Sequence, residues 1–308
     1  MPNIKELANK PELFTGGHRA CPGCGGSIII RQVLMAAGKD TIMAFATGCM
    51  EVVSTIFPYS AWRVPFIHNA FENAAATISG IEAAYKALRR KGKIDKKINF
   101  IAMGGDGGTY DIGFQSLSGA MERGHNILYI CYDNEAYMNT GIQRSSATPL
   151  GAHTTTSPAG TVIPGKIQWR KDLTEAIAAH GVPYVAQASP SHWVDFINKV
   201  EKALSIDGPT FINVFSGCPL GWGYDAALTI EISRLAVDTC FWPLYEVENS
   251  VHKLNYKPKE RKPIEEWLKP QARFRHLFTE QNRHIIEEFQ KEVDRRWELL
   301  IKRCEAGV

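Results

Sequence analysis

The sequence predicts an α/β fold, a mostly parallel sheet flanked by helices, on three observations. Short apolar runs of strand length recur at Thr41–Ala46, Phe100–Met103, Ile127–Cys131, Tyr184–Ala188 and Thr210–Phe215. Helical patterns stand between them. Several of the runs also empty abruptly into turns rich in Gly, Asn or Cys, and parallel sheets carry their ligands beyond the carboxyl ends of the strands.

Length and composition bound the reading. The chain has 308 residues, enough for one large domain or a domain with an extension. A hydrophobic content of 44% supplies a full core. The formal net charge of +3, with signs intermixed, gives no reason to expect nucleic acid. No run of apolar residues is long enough to span a membrane, and Met1-Pro2-Asn3-Ile4-Lys5 lacks a signal-peptide core, so a cytoplasmic protein is expected. Seven cysteines in such a chain point to metal or catalysis before disulfides.

Residues 1–20 read as a polar N-terminal arm. Cys21-Pro22-Gly23-Cys24 follows and opens onto a helix over Ile28–Met35. The strand Thr41–Ala46 leaves through Thr47-Gly48-Cys49. A helix is expected over Glu72–Arg90, with Ala74, Ile78, Ile81, Tyr85 and Leu88 on one face. Its basic end, Arg89 to Lys97, reads as a solvated helix terminus.

The organising stretch comes next. Phe100–Met103 stops at Gly104-Gly105-Asp106-Gly107-Gly108. A helical pattern runs from Ile112 through Leu117 and Met121 to Gly124, and Ile127–Cys131 ends in Asp133-Asn134. Strand, glycine turn, helix, strand is a βαβ unit. Glycines let backbone N–H groups approach an anion closely, and a helix N-terminus adds partial positive charge. Asp106 offers a hard carboxylate and Asn134 a neutral amide oxygen, a pair suited to Mg²⁺ on phosphate oxygens. No Gly-Lys-Ser/Thr follows, so this is not a Walker loop.

Asn139 to Thr161 lacks apolar periodicity, and starting beside the glycine turn it is expected to close over a ligand. Residues 171–215 resume α/β order, with helices over Leu173–Ala179 and His192–Leu204. Beyond Trp222, charged and aromatic residues alternate with prolines at 243, 258, 263 and 270, which reads as an extended C-terminal arm. It ends in an amphipathic helix carrying Ile286, Phe289, Val293, Trp297, Leu300, Ile301 and Cys304 on one face. Such an arm wraps a partner or folds back on its own domain.

The cysteines divide into two sets. Cys131, Cys240 and Cys304 sit in apolar stretches and read as packing residues. Cys21, Cys24, Cys49 and Cys218 sit in turns, the last two just past strand ends. A Cys-x-x-Cys reads as a redox dithiol, half of a zinc site or half of an iron–sulfur site. Four thiolates hold zinc or a [4Fe–4S] cluster equally well. One close pair with two isolated loop cysteines favours the cluster.

Five blocks now align in order: Gly17-His18-Arg19-Ala20-Cys21-Pro22-Gly23-Cys24-Gly25-Gly26, Ala46-Thr47-Gly48-Cys49-Met50-Glu51-Val52, His68-Asn69-Ala70-Phe71-Glu72-Asn73, Gly104-Gly105-Asp106-Gly107-Gly108-Thr109-Tyr110-Asp111-Ile112-Gly113 and Tyr132-Asp133-Asn134-Glu135-Ala136-Tyr137-Met138-Asn139-Thr140-Gly141. Together they resemble the β subunit of the 2-oxoacid:ferredoxin oxidoreductases, the pyruvate:ferredoxin oxidoreductase family, over nearly the whole chain. The resemblance implies a thiamine-diphosphate-binding fold. It divides the chain into the arm 1–20, a diphosphate-binding domain over 21–222 that also holds a [4Fe–4S] cluster, and the extension 223–308.

By the same resemblance, Mg²⁺ is held by Asp106, Asn134 and the carbonyl of Ala136, and the cluster by Cys21, Cys24, Cys49 and Cys218. Gly48, Gly105, Gly107, Gly108, Asn139 and Thr140 contact the cofactor. Asn139 stands close to the reacting carbon, and His68 is a candidate general acid or carboxylate partner, or a packed histidine. The glutamate that activates the cofactor comes from another subunit, so neither Glu51 nor Glu72 is assigned that role. Arg144 reads as a carboxylate or phosphate ligand, or as a solvated loop residue.

The implied partners are α, γ and δ subunits or a fused equivalent, in a dimer of heteromers, together with ferredoxin, with CoA as co-substrate. The basic run after Arg89 is a secondary candidate for ferredoxin docking. The default substrate is pyruvate, with oxalate (oxidised without CoA) or another small 2-oxoacid as alternatives. Ile142 departs from pyruvate-using relatives, which often carry an amide or glycine there, and reads as a residue that reshapes the pocket. Two rivals stand outside this reading: a non-catalytic Cys₄ zinc protein, and a synthase of the acetolactate type, which has no use for four thiolates.

Overall fold

The computed structural model describes residues 3–307 of the chain. Its eight strands are β1 (Thr41–Ala46), β2 (Phe66–Asn69), β3 (Asn99–Gly105), β4 (Leu128–Asp133), β5 (Tyr184–Ala188), β6 (Thr210–Phe215), β7 (Tyr245–Glu248) and β8 (Val251–Leu254). They form one sheet in the order β2-β1-β3-β4-β6-β5-β7-β8. The first six positions in that order are parallel, while β7 joins β5 and β8 joins β7 antiparallel.

Successive residues of a strand point to opposite faces, so each buried strand must be covered twice. The helices are α1 (Ile4–Ala8), α2 (Gly25–Ala37), α3 (Cys49–Ser54), α4 (Ala74–Arg90), α5 (Phe114–Glu122), α6 (Leu173–Ala178), α7 (Trp193–Ser205), α8 (Pro219–Trp222), α9 (Thr229–Asp238), α10 (Ile264–Leu268) and α11 (Arg283–Ala306). On one face Ile101, Met103, Ile130 and Ile212 pack under Ile29, Val33, Phe196 and Val200 of α2 and α7. On the other, Phe100, Ala102, Tyr129 and Phe211 pack under Ile78, Leu117 and Ile177 of α4, α5 and α6, and α9, α10 and α11 complete that layer. Among the described residues no helix is long and apolar enough to cross a membrane.

Register levels the strand ends that matter. Phe45 pairs with Met103, Gly105 with Tyr132, and Asp133 with Phe215, so β1, β3, β4 and β6 finish side by side. The order β2-β1-β3-β4 reverses direction of winding at β1/β3, the place where such sheets open a crevice.

Two expectations change. Within residues 1–20, Leu7, Leu13 and Phe14 are buried, and Phe14 bridges antiparallel to Trp62, so that stretch is anchored rather than a polar arm. Residues 223–308 do not extend away either: β7 and β8 lengthen the main sheet, and Trp242, Trp267, Phe274 and Phe289 share a core with Phe211 and Trp222. The prolines that suggested an arm punctuate short elements, and the aromatic residues between them supply the apolar area that draws the segment back.

Candidate active site

The glycine turn after β3 is wider than a helical pattern suggests. Gly107–Ile112 forms one π-helical turn, closed by the Gly113 N–H donating to the Gly108 carbonyl at 2.8 Å. A Cβ on Gly113 would lie 2.2 Å from that oxygen, and one on Gly107 would lie 2.4 Å from the Tyr137 ring. Only glycine therefore permits both the turn and the close approach of the next loop.

Beside this turn lies a cavity of about 300 Å³. It is walled by Thr47, Gly48 and Cys49 after β1, Ala70 and Phe71 after β2, Gly105 at the end of β3 with Gly107 and Gly108 beyond it, and Asn134 and Ala136–Thr140 after β4. Of the residues expected to contact a cofactor, Gly48, Gly105, Gly107, Gly108, Asn139 and Thr140 thus meet in one space. A thiol, Cys49, stands on its wall.

Asp106, Asn134 and Ala136 meet beside the cavity. The side-chain oxygen of Asn134 lies 2.8 Å from Asp106 Oδ1 and 2.9 Å from the Ala136 carbonyl, both acceptors. Exchanging the amide's O and N would turn both contacts into hydrogen bonds, whereas an oxygen-inward amide would share a cation with its two neighbours. In an octahedron with metal–oxygen distances of about 2.0–2.1 Å, adjacent ligand oxygens lie about 2.9 Å apart. One carboxylate, one amide and one carbonyl at that spacing fit a small hard cation. Burial, with Asp133 adding to it, holds the Asp106 carboxyl well above the usual carboxylate range, and a divalent cation is the partner that would keep it ionised.

The surrounding bonds fix this geometry. Asp106 Oδ1 accepts from the Asn134 N–H at 3.2 Å, and Oδ2 accepts from Ser145 Oγ at 2.5 Å. Between the two ligand residues, Glu135 adopts φ +65°. That left-handed residue turns the Asn134 side chain and the Ala136 carbonyl to the same side. Its own carboxylate faces away and accepts from Arg170 Nη1 at 3.2 Å and Arg273 Nη2 at 2.5 Å. Asp133 Oδ2 accepts from Tyr110 and Arg170, each at 2.5 Å. Ser145, Glu135, Arg170 and Arg273 carry no local sequence signal for this role, because only the fold brings them to the turn.

The cysteine loops adjoin the same site. Gly25 N–H donates to the Gly217 carbonyl at 3.0 Å, joining the first cysteine pair to the loop of Cys218. Cys24 Sγ lies 3.7 Å from Met50 Sδ, next to Cys49. Burial pushes the Cys49 thiol up to about 12, and Cys218, Cys24 and Cys21 add to the shift. Burial likewise raises Cys218 to about 11, with Cys24 and Cys21 contributing. All four thiols therefore sit within electrostatic reach of one another. Among the described residues, though, no three His, Cys, Asp or Glu side chains converge to hold one metal ion. Four thiolates can hold zinc or an iron–sulfur cluster. Cys131 and Cys240 are buried core residues, and Cys304 packs against that core.

Other candidates fall outside the cavity. His68 is the penultimate residue of β2, its ring held between Glu51 Oε1, 2.9 Å from Nδ1, and Thr47 Oγ1, 3.2 Å from Nε2, and it does not line the cavity. Arg144 is exposed and meets Gln168 Oε1 at 3.4 Å. Ile142 is not on the cavity wall and has φ +62°. The basic residues after Arg89 flank the opposite end of the sheet, near the starts of β3 and β4.

With this geometry in hand, the chain was compared with known proteins. Residues 46–214 match the family described as "Thiamine pyrophosphate enzyme, C-terminal TPP binding domain". Pyruvate synthase subunit PorB of Methanocaldococcus jannaschii is 61% identical over 293 residues, covering 94% of this chain and 97% of the relative. The subunit of the same name from Thermotoga maritima is 56% identical, covering 97% and 95%. Ketoisovalerate oxidoreductase subunit VorB of Pyrococcus furiosus is 48% identical, covering 98% and 97%. Among solved structures, a 2-oxoglutarate:ferredoxin oxidoreductase from Magnetococcus marinus matches the fold with a TM-score of 0.55 at 20% identity, covering 76% of this chain and 81% of that one.

Proposed function

The chain belongs to the β subunits of the 2-oxoacid:ferredoxin oxidoreductases, and from that premise we propose that it holds the diphosphate end of thiamine diphosphate through Mg²⁺ and carries a [4Fe–4S] cluster. The reaction proposed is oxidative decarboxylation of pyruvate to acetyl-CoA and CO₂, with electrons passed to ferredoxin. One observation carries the reading: the Asn134 side-chain amide lies 2.8 Å from Asp106 Oδ1 and 2.9 Å from the Ala136 carbonyl, beside a cavity that has Cys49 on its wall. Pyruvate is taken as the substrate because the relatives at 61% and 56% identity are named pyruvate synthase subunits, while within Pyrococcus furiosus the pyruvate synthase and ketoisovalerate subunits are each 48% identical to this chain.

Bound thiamine diphosphate supplies the carbanion chemistry, and the iron centre supplies a one-electron acceptor. Everything else is the work of this chain's residues. Asp106, Asn134 and the Ala136 carbonyl would hold the metal, with Ser145 steering the second carboxylate oxygen of Asp106. The Gly107–Ile112 turn brings backbone N–H groups to the diphosphate side. Asn139 and Thr140 stand at the exposed rim, where substrate enters, and Cys49 on the wall gives electrons a short exit. His68, fixed between Glu51 and the wall residue Thr47, lies outside the cavity and is kept as a candidate acid. The catalytic glutamate, most contacts to substrate and the sites for CoA belong to partner subunits, so the chain alone should be inactive.

Two measurements test the reading. In the anaerobically purified complex, methyl-viologen reduction with pyruvate, oxalate and branched 2-oxoacids, each with and without CoA, should be fastest with pyruvate plus CoA. CoA-independent turnover of oxalate would replace that substrate assignment. In the same complex Asp106→Ala should abolish Mg²⁺-dependent binding of thiamine diphosphate while leaving the fold and the iron content intact. Retention of cofactor at the wild-type level would refute the metal assignment.

A further inference from the structure

We propose that Arg273 is a positioning residue that clamps the metal-binding turn Asn134–Ala136 onto the cysteine-bearing turn Cys218–Trp222, and so fixes the two sites relative to one another. The inference rests on the reading of those turns given above. It concerns a residue of the C-terminal segment, 138 positions from the turn it holds.

The clamp is a closed ring of buried contacts. Arg273 Nη2 donates to Glu135 Oε2 at 2.5 Å. Its guanidinium carbon sits 3.9 Å from the centre of the Trp222 ring. Trp222 Nε1 in turn donates to the Asn134 carbonyl at 2.9 Å, which returns to the residue before Glu135. On the far side the Trp222 N–H donates to the Cys218 carbonyl at 2.9 Å, and the Gly221 N–H meets Cys218 Sγ at 3.3 Å. The loop that continues from the metal-binding turn also touches the cysteine-bearing turn, since a Cβ on Gly221 would lie 2.3 Å from Met138 Sδ. A shift of either turn must therefore drag the other.

The chemistry calls for arginine. Gln271, itself buried, accepts from Arg273 Nε at 2.9 Å and Nη2 at 2.7 Å, which holds the planar fork while its face lies on Trp222. Lysine carries the charge but can neither stack nor fork. The charge matters as well. Asp133 and Glu135 are two buried carboxylates served by Arg170 and Arg273, so losing Arg273 leaves one negative charge uncompensated behind the metal ligands. The same guanidinium is felt at Cys218.

The test uses the complete multi-subunit enzyme, purified anaerobically, as wild type and as Arg273→Met, Arg273→Lys, Trp222→Phe and the Arg273→Met/Trp222→Phe double variant. Three quantities are read: the Mg²⁺ dissociation constant at saturating thiamine diphosphate, the reduction potential of the iron centre, and the melting temperature. Arg273→Met should weaken Mg²⁺ by about 10–100-fold, the usual loss when a residue holding a ligand from behind is removed, and should lower the potential. Arg273→Lys should also weaken Mg²⁺ but leave the potential near wild type, a split that general destabilisation does not produce. Trp222→Phe keeps an aromatic ring beneath Arg273 and removes no charge; it loses the indole N–H bond to Asn134 together with the volume of the second ring, and the melting temperature reads that packing cost. The double variant should bind Mg²⁺ no more weakly than the worse single variant. Wild-type Mg²⁺ affinity in Arg273→Met and Trp222→Phe, with Asp106→Ala still devoid of cofactor, would overturn the clamp and spare the functional reading. Cofactor retained by Asp106→Ala would overturn both.

Discussion

Ile142 carries a backbone requirement that its side chain does not announce. The family resemblance made it a substitution for an amide or glycine, and a bulky apolar group in that place suggested a reshaped pocket. In the structure its backbone has φ +62°, a region that glycine and asparagine occupy readily and β-branched residues avoid. Its carbonyl accepts from the Thr155 N–H at 3.0 Å, so the conformation is imposed by the loop. The position selects for backbone tolerance. We therefore expect Ile142→Asn to stabilise the chain by about 1 kcal/mol, the scale of left-handed strain, in chemical denaturation. The ratio of rates with pyruvate and branched 2-oxoacids should not move, and a changed ratio would restore the pocket reading. Asp106 and Asn134 were legible by contrast, because a glycine turn and the end of the next strand announce themselves locally. Ser145 and Glu135 were not: a serine in a polar loop and a glutamate beside an asparagine acquire meaning only when the turn closes.

At the scale of the element, the stretch from Asn139 to Gln168 has no regular secondary structure and is nonetheless well tied. Lys166 is the staple. It is 2% exposed, and its ammonium donates to the carbonyls of Ser145 at 3.2 Å, Ser146 at 3.4 Å and Thr148 at 2.5 Å. Those residues form the turn from which Ser145 reaches Asp106. No carboxylate pairs with Lys166 at ion-pair distance among the described residues, and burial lowers its pKa from 10.5 to about 7. Since the folded value lies below the unfolded one, the unfolded chain binds more protons between about pH 7 and 10.5, and stability rises with pH across that window. Below about pH 7 both states are charged and the dependence vanishes. The slope can approach about 1.4 kcal/mol per pH unit. Denaturation at pH 7, 8 and 9 should show this rise in wild type and lose it in Lys166→Met. Parallel slopes in the two proteins would exclude Lys166 as the source. The glycine turn teaches a related lesson: its sequence reads as a helix starting at Ile112, but a π-helical turn from Gly107 precedes α5, because Gly108 and Gly113 let the backbone close five residues apart.

For the molecule as a whole, the parallel core was readable because each of its buried strands is a short apolar run with a turn on either side. The exception is β2, only four residues long with Ile67 and His68 exposed, which offers too little apolar signal at the sheet edge. The C-terminal third was harder, since β7, β8 and α10 are four or five residues each and depend on long-range packing for their existence. What binds that third to the rest is an aromatic core. Trp267 is fully buried, stacked on Phe241 at 4.3 Å and in edge contact with Phe215 and Trp222 at 6.3 Å, with Phe289 of α11 beyond. An independent arm would melt on its own and leave the cofactor core untouched. A shared core melts as one unit, and its largest side chains carry stability for both parts. Trp267→Ala should cost about 3–5 kcal/mol, as for other buried aromatic truncations, in a single transition. Because Trp222 and Arg273 both pack against Trp267, the same variant should weaken Mg²⁺ binding. Two separate transitions, with the higher one and the Mg²⁺ affinity unchanged, would show that the C-terminal third is an appendage after all.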